Sequence, residues 1–150
     1  MRFKRTGTKK GRKPRTRSYA ALKRALDKTY SEWVRRKGAD SQGFVRCVTC
    51  GRSAHWKSMQ CGHFIPRHYL AGRWNPENTA VQDASCNIFK RGAYPEFAQW
   101  GTSHYGQDWL PRMIALKREQ IKWTRMDLES LLEDYTKRLA HLEQTSTLSA

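Results

Sequence analysis

Apolar residues spaced three and four positions apart predict helices towards both ends of the chain. The first helix follows Ser18, a suitable N-cap, and ends near Gly38, with an apolar face made of Tyr19, Leu22, Leu26, Tyr30 and Trp33. Thr124 and Asp127 have the spacing of a capping box and open the last helix. Its apolar stripe consists of Leu128, Leu131, Leu132, Tyr135, Leu139 and Leu142.

The middle of the chain predicts shorter elements. Residues 43–47 and 58–64 are predicted strands, and residues 78–82 a short extended segment. Residues 83–90 are predicted to form a short helix, and residues 108–121 a longer one. Strands between terminal helices predict an α+β fold, and a chain of 150 residues suits one domain.

Positive charge is the main signal in the composition. The chain has 29 Lys and Arg residues against 13 Asp and Glu, which gives a formal net charge of +16. Nine of the basic residues, and no acidic one, fall within residues 1–17. We expect this arm to be disordered when free and to lie on nucleic-acid phosphates through Lys9, Lys10, Arg12, Lys13, Arg15 and Arg17. The alternative is a tail that only improves solubility.

Other compositional features narrow the class of protein. No run of eighteen apolar residues occurs, and we expect neither a membrane-spanning helix nor a secretory signal. Nucleic acid is therefore a better expected partner than a membrane. Four cysteines, two of them as Cys-x2-Cys, favour metal binding in a reducing cytoplasm over disulfides. We expect an ordered domain over residues 18–143 and a frayed tail over residues 144–150.

Candidate metal ligands lie near the middle of the chain. Cys47 and Cys50 form a Cys-x2-Cys turn, which can present two thiolates to one zinc ion. Cys86 offers a third thiolate, and Asp83 can converge with it because the two lie three residues apart at a predicted helix start. The fourth ligand could instead be Cys61, and a site without zinc is the remaining alternative.

Four short segments of this region carry a family resemblance. They are Arg46-Cys-Val-Thr-Cys-Gly51, Gln60-Cys-Gly-His-Phe-Ile-Pro-Arg67, Arg73-Trp-Asn-Pro-Glu-Asn78 and Cys86-Asn-Ile-Phe-Lys-Arg-Gly92. With residues 122–135 they resemble the NinG family of phage recombination nucleases. The resemblance implies a small zinc-stabilised ββα-metal core (HNH, or His-Me finger) between flanking helices. It further implies an endonuclease that cuts branched recombination intermediates, Holliday junctions and D-loops, in the cytoplasm of the bacterial host.

The same resemblance implies a role for individual residues. His63 would deprotonate the attacking water, which suits an imidazole with an ordinary pKa of about 6.5. Asn78 would orient the imidazole or its strand, and Asn87 would bind a catalytic Mg²⁺ or Mn²⁺ through its amide oxygen. The alternatives are a histidine with only structural contacts, a turn asparagine and a helix cap.

Asp83 departs from the family's pattern, and Gly62, as in the family, departs from that of many HNH enzymes. Asp83 stands where the family usually has the first cysteine of a second Cys-x2-Cys pair, which makes it the favoured fourth zinc ligand. Gly62 stands where many HNH enzymes have an Asp, so it offers no side chain to the catalytic ion. We expect Gln60 to share a strand face with His63 and to bind that ion, with His55, His68 and water as weaker alternatives.

The expected partners follow from charge and from the chemistry of junction cleavage. Four basic residues flank the motifs and are expected to contact phosphates: Arg67, Arg73, Lys90 and Arg91. Two paired cuts are needed to resolve a four-way junction, so we expect a homodimer through the helical stripes if that is the substrate. Other recombination proteins are further candidate partners. The rival function is a zinc-knuckle DNA-binding accessory protein without nuclease activity.

Overall fold

The chain forms an α+β fold in the computed structural model, which describes residues 16–148. Its helices and strands follow in the order α1 (Tyr19–Arg36), β1 (Phe44–Arg46), β2 (Ser53–His55), β3 (Gln60–His63), β4 (Thr79–Gln82), α2 (Tyr94–Tyr105), α3 (Trp109–Ala115) and α4 (Arg125–Leu148). A π-helical turn, Ser85–Phe89, follows β4. The expected α+β class is confirmed. The phosphate contacts expected of Lys9, Lys10, Arg12, Lys13 and Arg15 lie outside the described residues.

Helices α1 and α4 pack against each other along their apolar faces. Ser18 caps α1 by accepting a hydrogen bond from the Ala21 amide at 3.2 Å. The capping box of α4 is formed, because the Asp127 carboxylate accepts hydrogen bonds from the amide and hydroxyl of Thr124 at 2.8 and 2.7 Å. The interface buries Leu22, Leu26, Tyr30, Val34, Leu128 and Tyr135 together with Trp74. Of the stripe on α4, Leu128 and Tyr135 are buried in this interface, and Leu131 and Leu132 pack against it.

The strands form two antiparallel pairs. Strand β1 pairs with β2. Strand β2 was not predicted from the sequence, because its three residues are too few to show an alternating pattern. Strand β3 pairs with β4, with Gln60 opposite Gln82 and His63 opposite Thr79. From β3 the chain therefore continues through β4 into a short helical turn. His63 lies at the end of β3, and Asn87 lies within the turn.

Helices α2 and α3 pack on the loop that follows β3. Phe64 and Ile65 of this loop are buried with Phe97 and Trp109 of the two helices. The sequence predicts helix beyond Gly92 but gives no bounds for α2, in which Pro95 lies in the first turn and Gly101 at mid-helix. Helix α3 is shorter than the predicted segment 108–121. After Ala115 the amides of residues 117–119 bond to carbonyls three positions earlier, which tightens the chain into turns.

The last helix is longer than expected. It continues to Leu148, although residues 144–150 were expected to form a frayed tail. The Thr145 hydroxyl bonds back to the carbonyls of His141 and Leu142 at 3.2 and 3.1 Å, so this small polar residue is accommodated within the helix. Among the residues the structure describes, no helix has the length and apolar character needed to cross a membrane.

The contact between Gly101 and Trp109 gives a test of the packing of α2 on α3. A Cβ atom on Gly101 would lie 2.4 Å from the fully buried Trp109 ring, so Gly101→Ala should lower the free energy of unfolding by about 1–3 kcal/mol. The matched control is Gly38→Ala, whose Cβ would make only an ordinary contact at 3.9 Å. Thermal or denaturant unfolding of both variants measures the difference. Equal stabilities would contradict the packing.

Candidate functional site

Four side chains form a compact candidate metal centre. Cys47, Cys50, Asp83 and Cys86 each bring one ligand atom into a group whose members lie within 4.8 Å of one another. The first two lie on the turn after β1, and the last two lie at the start of the π-helical turn. The amide of Val48 donates to the Val81 carbonyl at 3.0 Å and fastens the first turn to β4. Two distant parts of the chain are therefore joined at this point.

Asp83 belongs to this cluster and Cys61 does not. The Asp83 carboxylate accepts hydrogen bonds from the Cys50 thiol at 3.1 Å and from the Cys86 amide at 2.9 Å. These hydrogen bonds hold the pKa of Asp83 below its usual range. Cys61 instead packs among the residues of α1 and α4, where burial raises its pKa to about 12. Three thiols and a carboxylate are a donor set that could bind a metal such as zinc.

A second group of expected site residues lines one cleft. The cleft has a volume of about 420 Å³. His63 at the end of β3 and Asn87 in the π-helical turn both line it. Three of the four basic residues expected to contact phosphates also line it, namely Arg67, Arg73 and Arg91. The fourth, Lys90, is exposed beside Arg91.

His63 has the protonation state that a general base requires. Its Nε2 lies 2.9 Å from the Arg73 carbonyl oxygen, and a carbonyl can only accept a hydrogen bond. In the neutral ring the proton is therefore on Nε2, and Nδ1 keeps its lone pair. Burial lowers the pKa of His63 below 6.5, and the positive charge of Arg67 acts in the same direction, against the carbonyls of Arg73 and Cys61. The imidazole is thus mainly neutral at pH 7.

Asn78 holds the loop around His63 rather than the imidazole itself. Its fully buried amide accepts from the Ile65 amide at 2.7 Å and donates to the carbonyls of Ile65 and Gly72 at 2.9 and 2.8 Å. Ile65 follows His63 by two residues, and Gly72 precedes Arg73. Asn78 therefore ties together both ends of the loop whose Arg73 carbonyl meets His63. Of the two roles expected for this residue, only the support of the strand and loop has matching contacts.

Asn87 is oriented by Gln60. The Asn87 side-chain nitrogen donates to Gln60 Oε1 at 2.7 Å. The side-chain oxygen of Asn87, Oδ1, accepts no hydrogen bond from the residues that the structure describes. The expectation that Gln60 shares a face with His63 is wrong, because the two are three positions apart on β3 and side chains alternate along a strand. Cys61 shares that face, and it lines the cleft where Gln60 does not.

Gln82 occupies the space that a side chain at position 62 would need. A Cβ atom on Gly62 would lie 2.0 Å from Gln82 Oε1. Gln82 is fully buried, and its nitrogen donates to the carbonyl of Gly92 at 2.9 Å and to the Thr49 hydroxyl at 3.2 Å. Its Oε1 is the one buried side-chain polar atom without a hydrogen-bond partner in the described part of the chain. The sequence analysis missed Gln82, although a Gln within an otherwise apolar strand was a usable signal.

Arg73 has a structural role that the sequence analysis did not foresee. Its guanidinium donates twice to Asp27 of α1, at 2.9 and 2.6 Å, and once to the Arg67 carbonyl at 3.0 Å. The indole of Trp74 donates to the same Asp27 carboxylate at 3.0 Å. These bonds hold the loop after β3 against α1, and they engage all three guanidinium nitrogens within the protein. Arg67, Lys90 and Arg91 are exposed.

The metal centre leads to a prediction about zinc content. Cys50→Ser removes one cluster ligand, so the purified variant should lose its zinc, about one ion per chain, and unfold at a lower temperature. Cys61→Ser is the matched control and should keep zinc, because Cys61 lies outside the cluster. Metal analysis and thermal unfolding measure both effects. The assignment fails if the two variants contain the same amount of zinc.

The contact between Gly62 and Gln82 leads to a double-mutant cycle. Gly62→Ala should cost about 1–3 kcal/mol of stability, because the new methyl group meets Gln82. The same change should cost less in a Gln82→Ala background, where that space is empty. Denaturant unfolding of the four proteins gives the coupling. A cost that is equal in both backgrounds would show that Gln82 does not set the requirement for glycine.

Comparison with known proteins identifies the family of the chain. A family model described as the bacteriophage lambda NinG protein matches residues 2–145, which is nearly the whole sequence. No curated protein and no solved structure gives a significant match. The family match agrees with the resemblance seen in the four central segments and extends beyond them at both ends. The chain therefore belongs to the NinG family, whose members are phage recombination-related proteins.

Proposed function

We propose that this NinG-family protein is a metal-dependent endonuclease of the HNH type that cuts branched DNA, such as Holliday junctions and D-loops, during phage recombination. The observation that carries the proposal is that His63 and Asn87 line one cleft together with Arg67 and Arg91. Two antiparallel strands followed by a short helical turn are also the order of elements in a ββα-metal core. Such an enzyme would act in the cytoplasm of the infected bacterium.

His63 would begin the reaction by taking a proton from water. Its Nδ1 has the free lone pair, and its lowered pKa keeps it neutral at the pH of a cell. The Arg73 carbonyl fixes the ring through Nε2 and would stabilise the imidazolium once the proton has arrived. Asn78 would contribute indirectly, because it holds the loop that presents this carbonyl. The attacking hydroxide would then displace the leaving oxygen at phosphorus.

Asn87 would hold a hard divalent cation in the cleft. The free amide oxygen of Asn87 is the type of ligand that Mg²⁺ and Mn²⁺ prefer, and water would complete the coordination. Such an ion would offset negative charge on the phosphate and on the leaving oxygen. The role of Gln60 would be to orient Asn87, since its own Oε1 accepts from the Asn87 amide. Zinc at Cys47, Cys50, Asp83 and Cys86 would be structural.

The basic residues would hold the DNA across this cleft. Arg67 and Arg91 line the cleft with His63 and Asn87, and the exposed Lys90 directly precedes Arg91 in the chain. Phosphate contacts from these residues would be independent of base sequence. The net charge of +16 supplies a wider attraction to polyanions. Selectivity for branched over linear DNA would come from the shape of the folded surface, because phosphates alone carry little information about a branch.

Substitution of His63 separates the nuclease from the rival accessory function. His63→Ala should lower junction cleavage by at least about a hundredfold, because the proton acceptor is lost, while junction binding stays unchanged. The matched control is His141→Ala, which removes an exposed histidine from α4. The assay uses labelled four-way junction, D-loop and linear duplex with Mg²⁺ or Mn²⁺.

The outcomes of this assay are distinct. If the wild type cleaves and His63→Ala cleaves at a rate within about tenfold of it, His63 is not the base. A tenfold change in rate corresponds to only about 1.4 kcal/mol of activation free energy. Junction binding by the wild type without any cleavage in either metal would favour the zinc-knuckle accessory protein.

A further inference from the structure

The turn that carries Asn87 ends in two exposed apolar side chains. Phe89 is 81% exposed and Ile88 is 55% exposed. Phe89 is more exposed than any other large apolar side chain in residues 16–145. Water contact with a phenyl ring is unfavourable, and twelve of the sixteen aromatic side chains in residues 16–145 are buried or half-buried. Neither side chain belongs to the three buried clusters of the fold.

The backbone holds Phe89 outside the core. The amide of Lys90 bonds to the Ser85 carbonyl, five residues back, and the amide of Gly92 bonds to the Cys86 carbonyl, both at 2.9 Å. Arg91 and Ala93 then adopt left-handed φ values of 51° and 46°, which is unusual for residues other than glycine. Strained conformations of this kind persist only where the surroundings enforce them. The exposure of Phe89 is thus a property of a firmly bonded turn.

The start of the π-helical turn is held by two sets of contacts. Asp83 and Cys86 belong to the four-residue metal cluster at its start. The Asn87 amide donates to the Asp83 carbonyl at 3.0 Å, and the Asn87 side chain bonds to Gln60 at 2.7 Å. A side chain two residues after Asn87 therefore has a defined position relative to the cleft.

The surroundings of Phe89 indicate the chemistry of its occupant. Along the chain, Phe89 follows Asn87 of the cleft by two positions and directly precedes Lys90 and Arg91, which are both exposed. A polyanion with stacked aromatic bases inside matches an exposed ring that two exposed cations follow in the chain, because each part of the surface then has a partner. A second copy of this chain matches poorly, because pairing the patch with itself would bring Lys90 and Arg91 of both copies together.

We propose that Phe89, supported by Ile88, inserts between bases at the branch point of DNA that lies across the His63–Asn87 cleft. Bases at a branch are less completely stacked than those within a duplex, so insertion there costs less than insertion into linear DNA. Phe89 would thus act as a wedge, and its position would fix the distance between the branch and the scissile phosphate. This inference rests on the proposed function for the identity of the substrate and adds the element that recognises the branch.

The test uses the full chain and a four-way junction with 2-aminopurine at the branch. Binding of the wild type should raise the 2-aminopurine fluorescence, because the base loses its stacking partner. Phe89→Ala should lose this rise and weaken junction binding by about tenfold or more, with little change for a matched linear duplex. Phe89→Trp should retain both properties. Met126→Ala is the matched control, since Met126 is 76% exposed on α4, and it should behave as the wild type.

Cut-site mapping completes the test. Phe89→Ala should spread the cuts over several positions along the junction arms, whereas the wild type should cut at one distance from the branch. Unchanged junction affinity, fluorescence and cut position in Phe89→Ala would overturn the wedge, and His63-dependent cleavage in the same experiment would leave the proposed function standing. A loss of self-association in Phe89→Ala, with DNA binding unchanged, would assign the patch to a second copy and also overturn the wedge. Failure of the wild type to bind or cut any DNA would instead reject the proposed function.

Discussion

The rest of the candidate site depends on the convergence of Cys47, Cys50, Asp83 and Cys86. Each strand in this unit has only three or four residues, so its pairing and small core contribute little stability of their own. The cluster joins the turn after β1 to the start of the π-helical turn. Asn87 comes directly after Cys86, so its position follows from the cluster. Loss of the cluster would therefore release a proposed catalytic residue as well as part of the fold.

Neutral amides organise much of the polar interior next to the cleft, in addition to the Asp27–Arg73 ion pair. Asn78 ties the loop on one side of His63, Gln82 fills the space above Gly62, and Gln60 orients Asn87. Buried amides can donate and accept at once without the desolvation cost of a charge. The arrangement leaves the Nδ1 lone pair of His63 and the oxygen of Asn87 without partners within the described chain, and these are the two atoms that the proposed reaction needs.

Local features were predictable from the sequence, and contacts between distant segments were not. The cap at Ser18, the capping box at Thr124 and the Cys-x2-Cys turn each depend on residues a few positions apart, and all three are present. The Asp27–Arg73 ion pair joins residues 46 positions apart, and no local pattern indicates it. The need for glycine at position 62 arises from Gln82 on a neighbouring strand, so it became visible only with the strand register.

In the proposed reaction, the cleft hydrolyses DNA with a hard divalent ion distinct from the metal of the cysteine cluster. The most direct measurement is junction cleavage by zinc-loaded, chelator-washed protein during a Mg²⁺ titration, with zinc content followed in parallel. We expect no cleavage before Mg²⁺ is added, saturating cleavage afterwards, constant zinc content, and a shift of the midpoint to higher Mg²⁺ in Asn87→Ala. Cleavage without Mg²⁺ that follows the zinc content, or a midpoint that Asn87→Ala leaves unchanged, would contradict a separate catalytic ion held by Asn87.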